Sequence, residues 1–181
     1  GLYDEGRGIQ YIIECWDLPA SHDQLNSNGL VIDIYPAARK STDLFSNLKS
    51  ANFLPYSMAA VYAKEHQLND CLLLNTAERI CDSTIANVFI IRNGMLQTPP
   101  LSEGCVNGIM RRYLLETLDP HDPDLKVKEE VITPEELATA EEVFLTNAIQ
   151  GIRWVQSCGV HHYTNLRTAS IRERLFRTKV H

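Results

Sequence analysis

Lys49, Asp82 and the segment from Glu103 to Arg111 are the residues whose types and settings could do chemistry. Lys49 alone among the lysines sits in an apolar context, between Phe45, Leu48, Phe53 and Leu54. Loss of water around an amine favours its neutral, nucleophilic form, the state that condenses with a carbonyl carbon. Asp82 is an acid at the end of an apolar run, five residues before Asn87, where it can pair with a protonated ring nitrogen. Glu103-Gly104-Cys105-Val106-Asn107-Gly108-Ile109-Met110-Arg111 is a glycine-containing loop that feeds a helix, whose first amides and dipole favour an anion such as a phosphate. Each has an ordinary use when taken alone: an edge-strand lysine, a turn-forming acid, a loop with its helix cap. Together they do not read as ordinary.

Other pairings fall short of a site. His161-His162 invites a metal, but adjacent residues on a strand point to opposite faces and no Glu or Cys stands at helical ligand spacing nearby, so no metal is expected. Arg172, Arg174, Arg177 and Lys179 crowd the C-terminal segment, yet Glu173 interrupts them and no aromatic ladder interleaves them, which reads as a solvated helix face. Cys81 lies beside Asp82, and a neighbouring carboxylate raises a thiol pKa, the wrong direction for a nucleophile. All five cysteines are read as packing residues.

The elements that must position the three features follow from pattern. Ile9 to Cys15 and Leu30 to Tyr35 are β-branched apolar runs and read as strands. Pro55 at a first helical turn, with Met58, Val61, Tyr62 and Glu65 behind it, predicts a helix over about 54–67. Cys71 to Leu74, Ile80 to Asp82 and Asn87 to Arg92 are short strands, and Asn93-Gly94 is a hairpin turn into Met95 to Thr98. Gly108 opens a helix predicted over 108–118 and stopped by Asp119-Pro120. Thr133-Pro134-Glu135-Glu136 is a capping box, Val143 to Thr146 a buried strand, Val155 and Val160 flank a turn, and Ile171 to Val180 a final helix.

Composition narrows the partner. The chain has 181 residues, 44% hydrophobic and 22% charged, which suits one domain with a real core and excludes disorder, collagen and coiled coil. A net charge of -6 gives no general pull toward nucleic acid or anionic lipid. No apolar run approaches a membrane span, and the odd, widely spaced cysteines suit a reducing cytoplasm. A small molecule is the expected partner. The chain begins at Gly1-Leu2, close to a strand-like run, which leads to the expectation that an N-terminal piece is missing.

Four motifs in order carry a resemblance: Asn47-Leu48-Lys49-Ser50-Ala51-Asn52, Asp82-Ser83-Thr84-Ile85-Ala86-Asn87-Val88-Phe89, Gln97-Thr98-Pro99, and Asn107-Gly108-Ile109-Met110-Arg111. Over about 45–155 the sequence resembles the C-terminal domain of the class IV aminotransferases, the fold-type IV enzymes that use pyridoxal 5′-phosphate (PLP). That family includes branched-chain aminotransferase, D-amino acid aminotransferase and 4-amino-4-deoxychorismate lyase. The resemblance implies an α+β fold, the large C-terminal domain of the D-amino acid aminotransferase-like fold, with a barrel-like sheet flanked by helices over residues 1–181. It implies that Lys49 forms the covalent aldimine with PLP and that Asp82 binds the pyridinium nitrogen. Gly108, Ile109 and Met110 would hold the cofactor phosphate through backbone amides, Asn147 and Ala148 would form a second cofactor-contacting segment, and Arg111 would stabilise the turn.

Two departures accompany the resemblance. The family usually has Glu where this chain has Asp82, and its N-terminal small domain, which contributes to the phosphate site and covers the substrate, has no counterpart before Gly1 in this sequence. The segments 106–111 and 146–149 look most like the lyase branch, which implies formation of 4-aminobenzoate and pyruvate in the folate pathway; branched-chain or D-amino acid transamination is the alternative. A homodimer is implied in either case. A non-catalytic truncated relative acting as a binding module is the remaining possibility.

Overall fold

A computed structural model describes residues 11–19, 24–51, 53–118 and 126–176. Ile9, Gln10, Asn52, Asp119-Pro120 and residues 177–180 of the expected last helix lie outside the described residues. Those described form nine strands and four α-helices: β1 (Leu30–Lys40), α1 (Leu54–Glu65), β2 (Asp70–Asn75), β3 (Ile80–Ser83), β4 (Asn87–Arg92), β5 (Met95–Thr98), α2 (Ile109–Thr117), β6 (Lys126–Glu129), α3 (Pro134–Ala138), β7 (Glu142–Asn147), β8 (Gly151–Cys158), β9 (His161–His162) and α4 (Leu166–Phe176). The class is α+β, as the resemblance implies.

Six strands close on themselves. The order β3-β2-β1-β8-β7-β4 is completed by a β3–β4 pairing, so a six-stranded barrel forms, with β5 and β6 continuing from β4 and β9 pairing with β8. Closure removes free strand edges, and alternate apolar residues then fill the interior. Each barrel strand supplies one wall of that core through Ile32, Leu72, Ile80, Val88, Val143 and Val155, all fully buried. The opposite faces are covered by helices. Ala59 and Ala63 of α1 pack on Tyr35, Cys71 and Leu73, while α2 and α4 cover Phe89 and Phe144, whose rings stack at 5.1 Å.

Two irregularities aim the strand ends at the site. Ile34 pairs with Leu72 but Arg39 with Leu74, so β1 bulges over the Tyr35-Pro36-Ala37-Ala38 stretch before resuming at Arg39 and Lys40. Proline has no amide to give a ladder and is tolerated at such a bulge. In β3, Leu73 pairs with Asp82 and Leu74 with Ile80, which leaves Cys81 as the extra residue. The bulge turns Asp82 onto the face of Leu73, under α1, and away from the barrel interior to which Ile80 belongs.

The hairpin at Asn93-Gly94, the Pro55 helix start and the capping box are as the sequence implies. Asn93 and Gly94 both have positive φ, and Thr133 Oγ1 accepts from the Glu136 amide while Glu136 Oε2 accepts from the Thr133 amide. Other elements differ. The described part of the 9–15 run, with Tyr11, Ile12 and Ile13, is exposed and without regular structure, because no described strand lies beside it to complete a ladder. The first barrel strand runs on to Lys40, four residues past Pro36, which breaks the apolar pattern. The last helix begins at Leu166 and not at Ile171, since the Glu142 carboxylate of β7 accepts from the Arg167 and Thr168 amides and caps it from another element. Strand β6 carries too little apolar pattern to be read from sequence. No described helix is long and apolar enough to cross a membrane.

Candidate functional site

The sequence folds its acid into the place where β3 hands over to β4. Ser83-Thr84-Ile85-Ala86 turns tightly, held by the Ser83 amide on the Ala86 carbonyl, and the Asp70 carboxylate accepts from the Thr84 amide and hydroxyl. Asp82 and Asn87 are thereby set directly opposite each other. Asp82 is 2% exposed. Its Oδ2 accepts from Lys40 Nζ at 2.8 Å, from the Tyr56 hydroxyl at 2.8 Å and from the Val106 amide at 3.0 Å, and its Oδ1 accepts from Asn87 Nδ2 at 3.1 Å. Burial pushes the Asp82 carboxyl upward, and the donors from Lys40, Tyr56 and Val106 oppose that push. Burial, with the Asp82 charge behind it, also drives the Tyr56 phenol up, so Tyr56 stays protonated and donates.

The amine beside the acid is therefore that of Lys40, a residue that nothing in its sequence context marks. Lys49 is exposed. The apolar neighbours expected to desolvate it are themselves open, with Phe45 at 66% and Leu54 at 68% exposure, so the expectation of a buried Lys49 amine is corrected. The cause is local: Asp43 collects the Phe45 amide and the Ser41 and Ser46 hydroxyls, winding 41–48 into turns that place the apolar side chains outward. Lys49 nevertheless leaves this loop beside the candidate anion loop. Asn47 Nδ2 donates to the Leu101 and Cys105 carbonyls, and the Asn47 carbonyl accepts from the Asn107 amide at 3.0 Å. Glu78 is exposed and paired with Arg39 at 2.7 Å, apart from the Asp82 cluster.

The anion loop is built from both sides. Glu103, buried, takes Asn75 Nδ2 and Arg79 Nε, and Gly104 turns the chain at φ +82° where a Cβ would meet the Ser41 carbonyl at 2.7 Å. Val106 then bridges to the acid through its amide and to Asn87 through its carbonyl, at 2.7 Å. Gly108 gives its own amide to the Val106 carbonyl at 2.8 Å and starts α2 with no side-chain cap, which leaves the Ile109 and Met110 amides of a nine-residue helix for an incoming anion. Arg111 is buried, donates to the Pro99 carbonyl and pairs with Glu129, so it stabilises the turn. Asn147 Oδ1 accepts from the Ile149 and Gln150 amides, forming the turn after β7, and Ala148 is exposed on it. Thr146, opposite Asn87 in the ladder, keeps a buried hydroxyl with no partner.

Gly108 has a second duty. A Cβ there would stand 2.1 Å from Asn87 Oδ1, and Asn87 cannot swing aside without releasing Asp82 and Val106. Gly108→Ala should cost about 1–3 kcal/mol in urea denaturation, the range for overpacking. In an Asn87→Ala background the same change should be nearly neutral. Equal penalties in both backgrounds would show that the clash is relieved elsewhere.

The thiols behave as packing groups where they are buried. Burial, reinforced by Asp82, pushes the Cys81 thiol up, and Cys105 is pushed up to about 12. Cys15 is exposed and is the exception to that expectation. His161 and His162 are both exposed on β9, and no group of acids, histidines and cysteines fit to hold a metal occurs among the described residues.

Comparison with known proteins bears on this arrangement. Residues 10–158 match the family model for amino-transferase class IV. A putative branched-chain-amino-acid aminotransferase of Methanocaldococcus jannaschii is 31% identical over 99 residues, 55% of this chain and 34% of that protein. Among solved structures, the branched-chain aminotransferase from Thermoproteus uzoniensis superimposes with a TM-score of 0.77 at 26% identity, covering 84% of this chain and 52% of that one. A putative 4-amino-4-deoxychorismate lyase from Legionella pneumophila gives 0.75 at 27% identity, covering 85% and 57%. The chain thus spans about a third of the length of the curated relative and about half of each solved chain.

Proposed function

The chain belongs to the class IV aminotransferase family, and from that premise we propose that it forms the PLP-binding part of an enzyme that moves an amino group between an amino acid and a keto acid. The observation that carries this is the buried Asp82 joined through Val106 to the uncapped start of α2. Those groups fit PLP: a carboxylate suits its protonated ring nitrogen, free helix amides suit its phosphate, and the unpartnered Thr146 hydroxyl lies on the same barrel wall. PLP supplies an electron sink for a carbanion at the substrate's α-carbon.

The residues take these roles. Asp82 accepts from the ring nitrogen and keeps it protonated. The amides at Ile109 and Met110 would hold the phosphate, joined by that of Gly108 once it leaves the Val106 carbonyl, and the turn at Asn147 and Ala148 would border the cofactor. Lys49 would supply the amine that holds the cofactor covalently and the group that carries the proton. The aldehyde of PLP is para to its ring nitrogen, so with Asp82 serving the nitrogen the bonding amine would come from elsewhere than beside the acid. Lys40, already on Asp82, is at the wrong end for that task.

Branched-chain transamination leads within the family, supported by the Methanocaldococcus and Thermoproteus relatives. This reverses the lean toward the lyase drawn from the 106–111 and 146–149 segments. Lyase chemistry stays as a second reading because the Legionella relative matches the chain almost equally well. A homodimer is the proposed assembly.

The two chemistries leave different forms of the cofactor. Leucine, isoleucine or valine, mixed with the PLP-loaded protein without a keto acid, should convert the cofactor to its amine form and stop there, read in the visible spectrum. Release of pyruvate and 4-aminobenzoate from aminodeoxychorismate, with no keto acid required, would replace transamination with the lyase. A spectrum unchanged by added PLP would favour a binding module without the chemistry.

A further inference from the structure

Lys40 has no task in that proposed reaction, yet it holds the acid on which the reaction depends. Its side chain is 9% exposed, its Nζ is 2.8 Å from Asp82 Oδ2, and the Tyr56 ring lies 5.1 Å beneath it. An ionised carboxylate offers about four acceptor positions. At Asp82, Oδ2 takes Lys40, Tyr56 and the Val106 amide, and Oδ1 takes Asn87 and a share of the same Val106 amide at 3.3 Å, so a ring nitrogen meets no open acceptor position.

One donor has to leave before a pyridinium can arrive. Val106 is backbone, Asn87 is also tied to the Val106 carbonyl, and Tyr56 is fixed on α1. Lys40 is the donor on a long unbranched chain at a strand end, and it is the one that carries a charge. Replacing an ammonium by a pyridinium keeps the buried site neutral overall, whereas replacing any of the other donors would put two cations on one acid.

We propose that Lys40 is a resident cation which occupies Asp82 in the cofactor-free protein and exchanges with the protonated ring nitrogen of the cofactor. The exchange rests on the assignment of Asp82 under Proposed function. Affinity is then reduced by the fraction of protein in which the pair is closed. The Lys40–Asp82 pair neutralises the buried carboxylate and sets how readily cofactor enters.

The test uses 4-deoxypyridoxine phosphate, which keeps the ring nitrogen and the phosphate but has no aldehyde, so covalent capture plays no part. Lys40→Met should bind it about tenfold more tightly than the parent. Lys40→Arg, which restores a cation, should bind like the parent. In the parent itself, adding the probe should raise acetylation of Lys40, read by peptide mass, which serves even where Lys40→Met fails to fold. Equal or weaker binding by a folded Lys40→Met protein, or unchanged Lys40 acetylation on saturation, overturns the exchange and leaves the function standing. Absence of binding by parent and variants alike removes the Asp82 assignment and the exchange together.

Discussion

In the Lys49→Ala protein, borohydride reduction with PLP should leave no lysine-linked cofactor, and turnover should fall by at least the 10²–10⁴-fold, approximately, that a positioned proton carrier contributes. The expectation is strict because a second lysine lies nearer the acid. Lys40 touches Asp82, and if proximity to the acid decided reactivity it would capture the aldehyde. Ring geometry decides against it, since nitrogen and aldehyde lie across the ring from each other. The exposed position of Lys49, on a loop tied by Asn47 to Cys105 and Asn107, leaves its amine free to approach from the phosphate side. Peptide mapping after reduction distinguishes the two lysines. Adduct on Lys40 in the parent protein would transfer the covalent role to Lys40 and end the case for Lys49.

Asp82→Asn is expected to do two kinds of damage at once. The ring nitrogen loses its ionic partner, so activity falls strongly, and Lys40 is left as a buried cation without a counter-charge. Breaking a buried pair from one side costs about 3–5 kcal/mol. Urea denaturation of the cofactor-free protein reads the second effect apart from the first. Asp82→Glu, which restores the family's residue, should keep the ion pair and the activity, with the longer side chain accommodated against Tyr56. Should Asp82→Asn prove as stable and as active as the parent, neither the pair nor the ring-nitrogen role would survive.

The barrel was largely legible because its determinants are local. Short β-branched runs, Asn93-Gly94 and the Thr133–Glu136 box each encode their own geometry, and the four motifs in order located the acid and the anion loop. Lys40 was not legible. It follows Pro36, which interrupts the apolar alternation, and its burial depends on a bulge whose register is set by β2. Tyr56 likewise reads as one more aromatic on a helix until α1 is laid over β3. The reverse failure occurred at Lys49, where apolar neighbours in sequence suggested burial that the Asp43-centred turns undo. Both misses share a cause: neighbours along the chain are not neighbours in space wherever loops and bulges intervene.

The pairing that shuts the barrel, Asp82 opposite Asn87, is a single rung, and its side chains are also the polar heart of the proposed site. Inheritance therefore cannot alter one without auditing the other. A substitution at either position is filtered first for whether the ring of strands still closes, and only survivors are exposed to selection for chemistry. New substrate preferences in such a lineage are easiest to gain from parts hung on the ring, such as the 41–51 loop or the turn after β7, while the rung accepts only exchanges that keep its charge, as Asp for Glu at position 82.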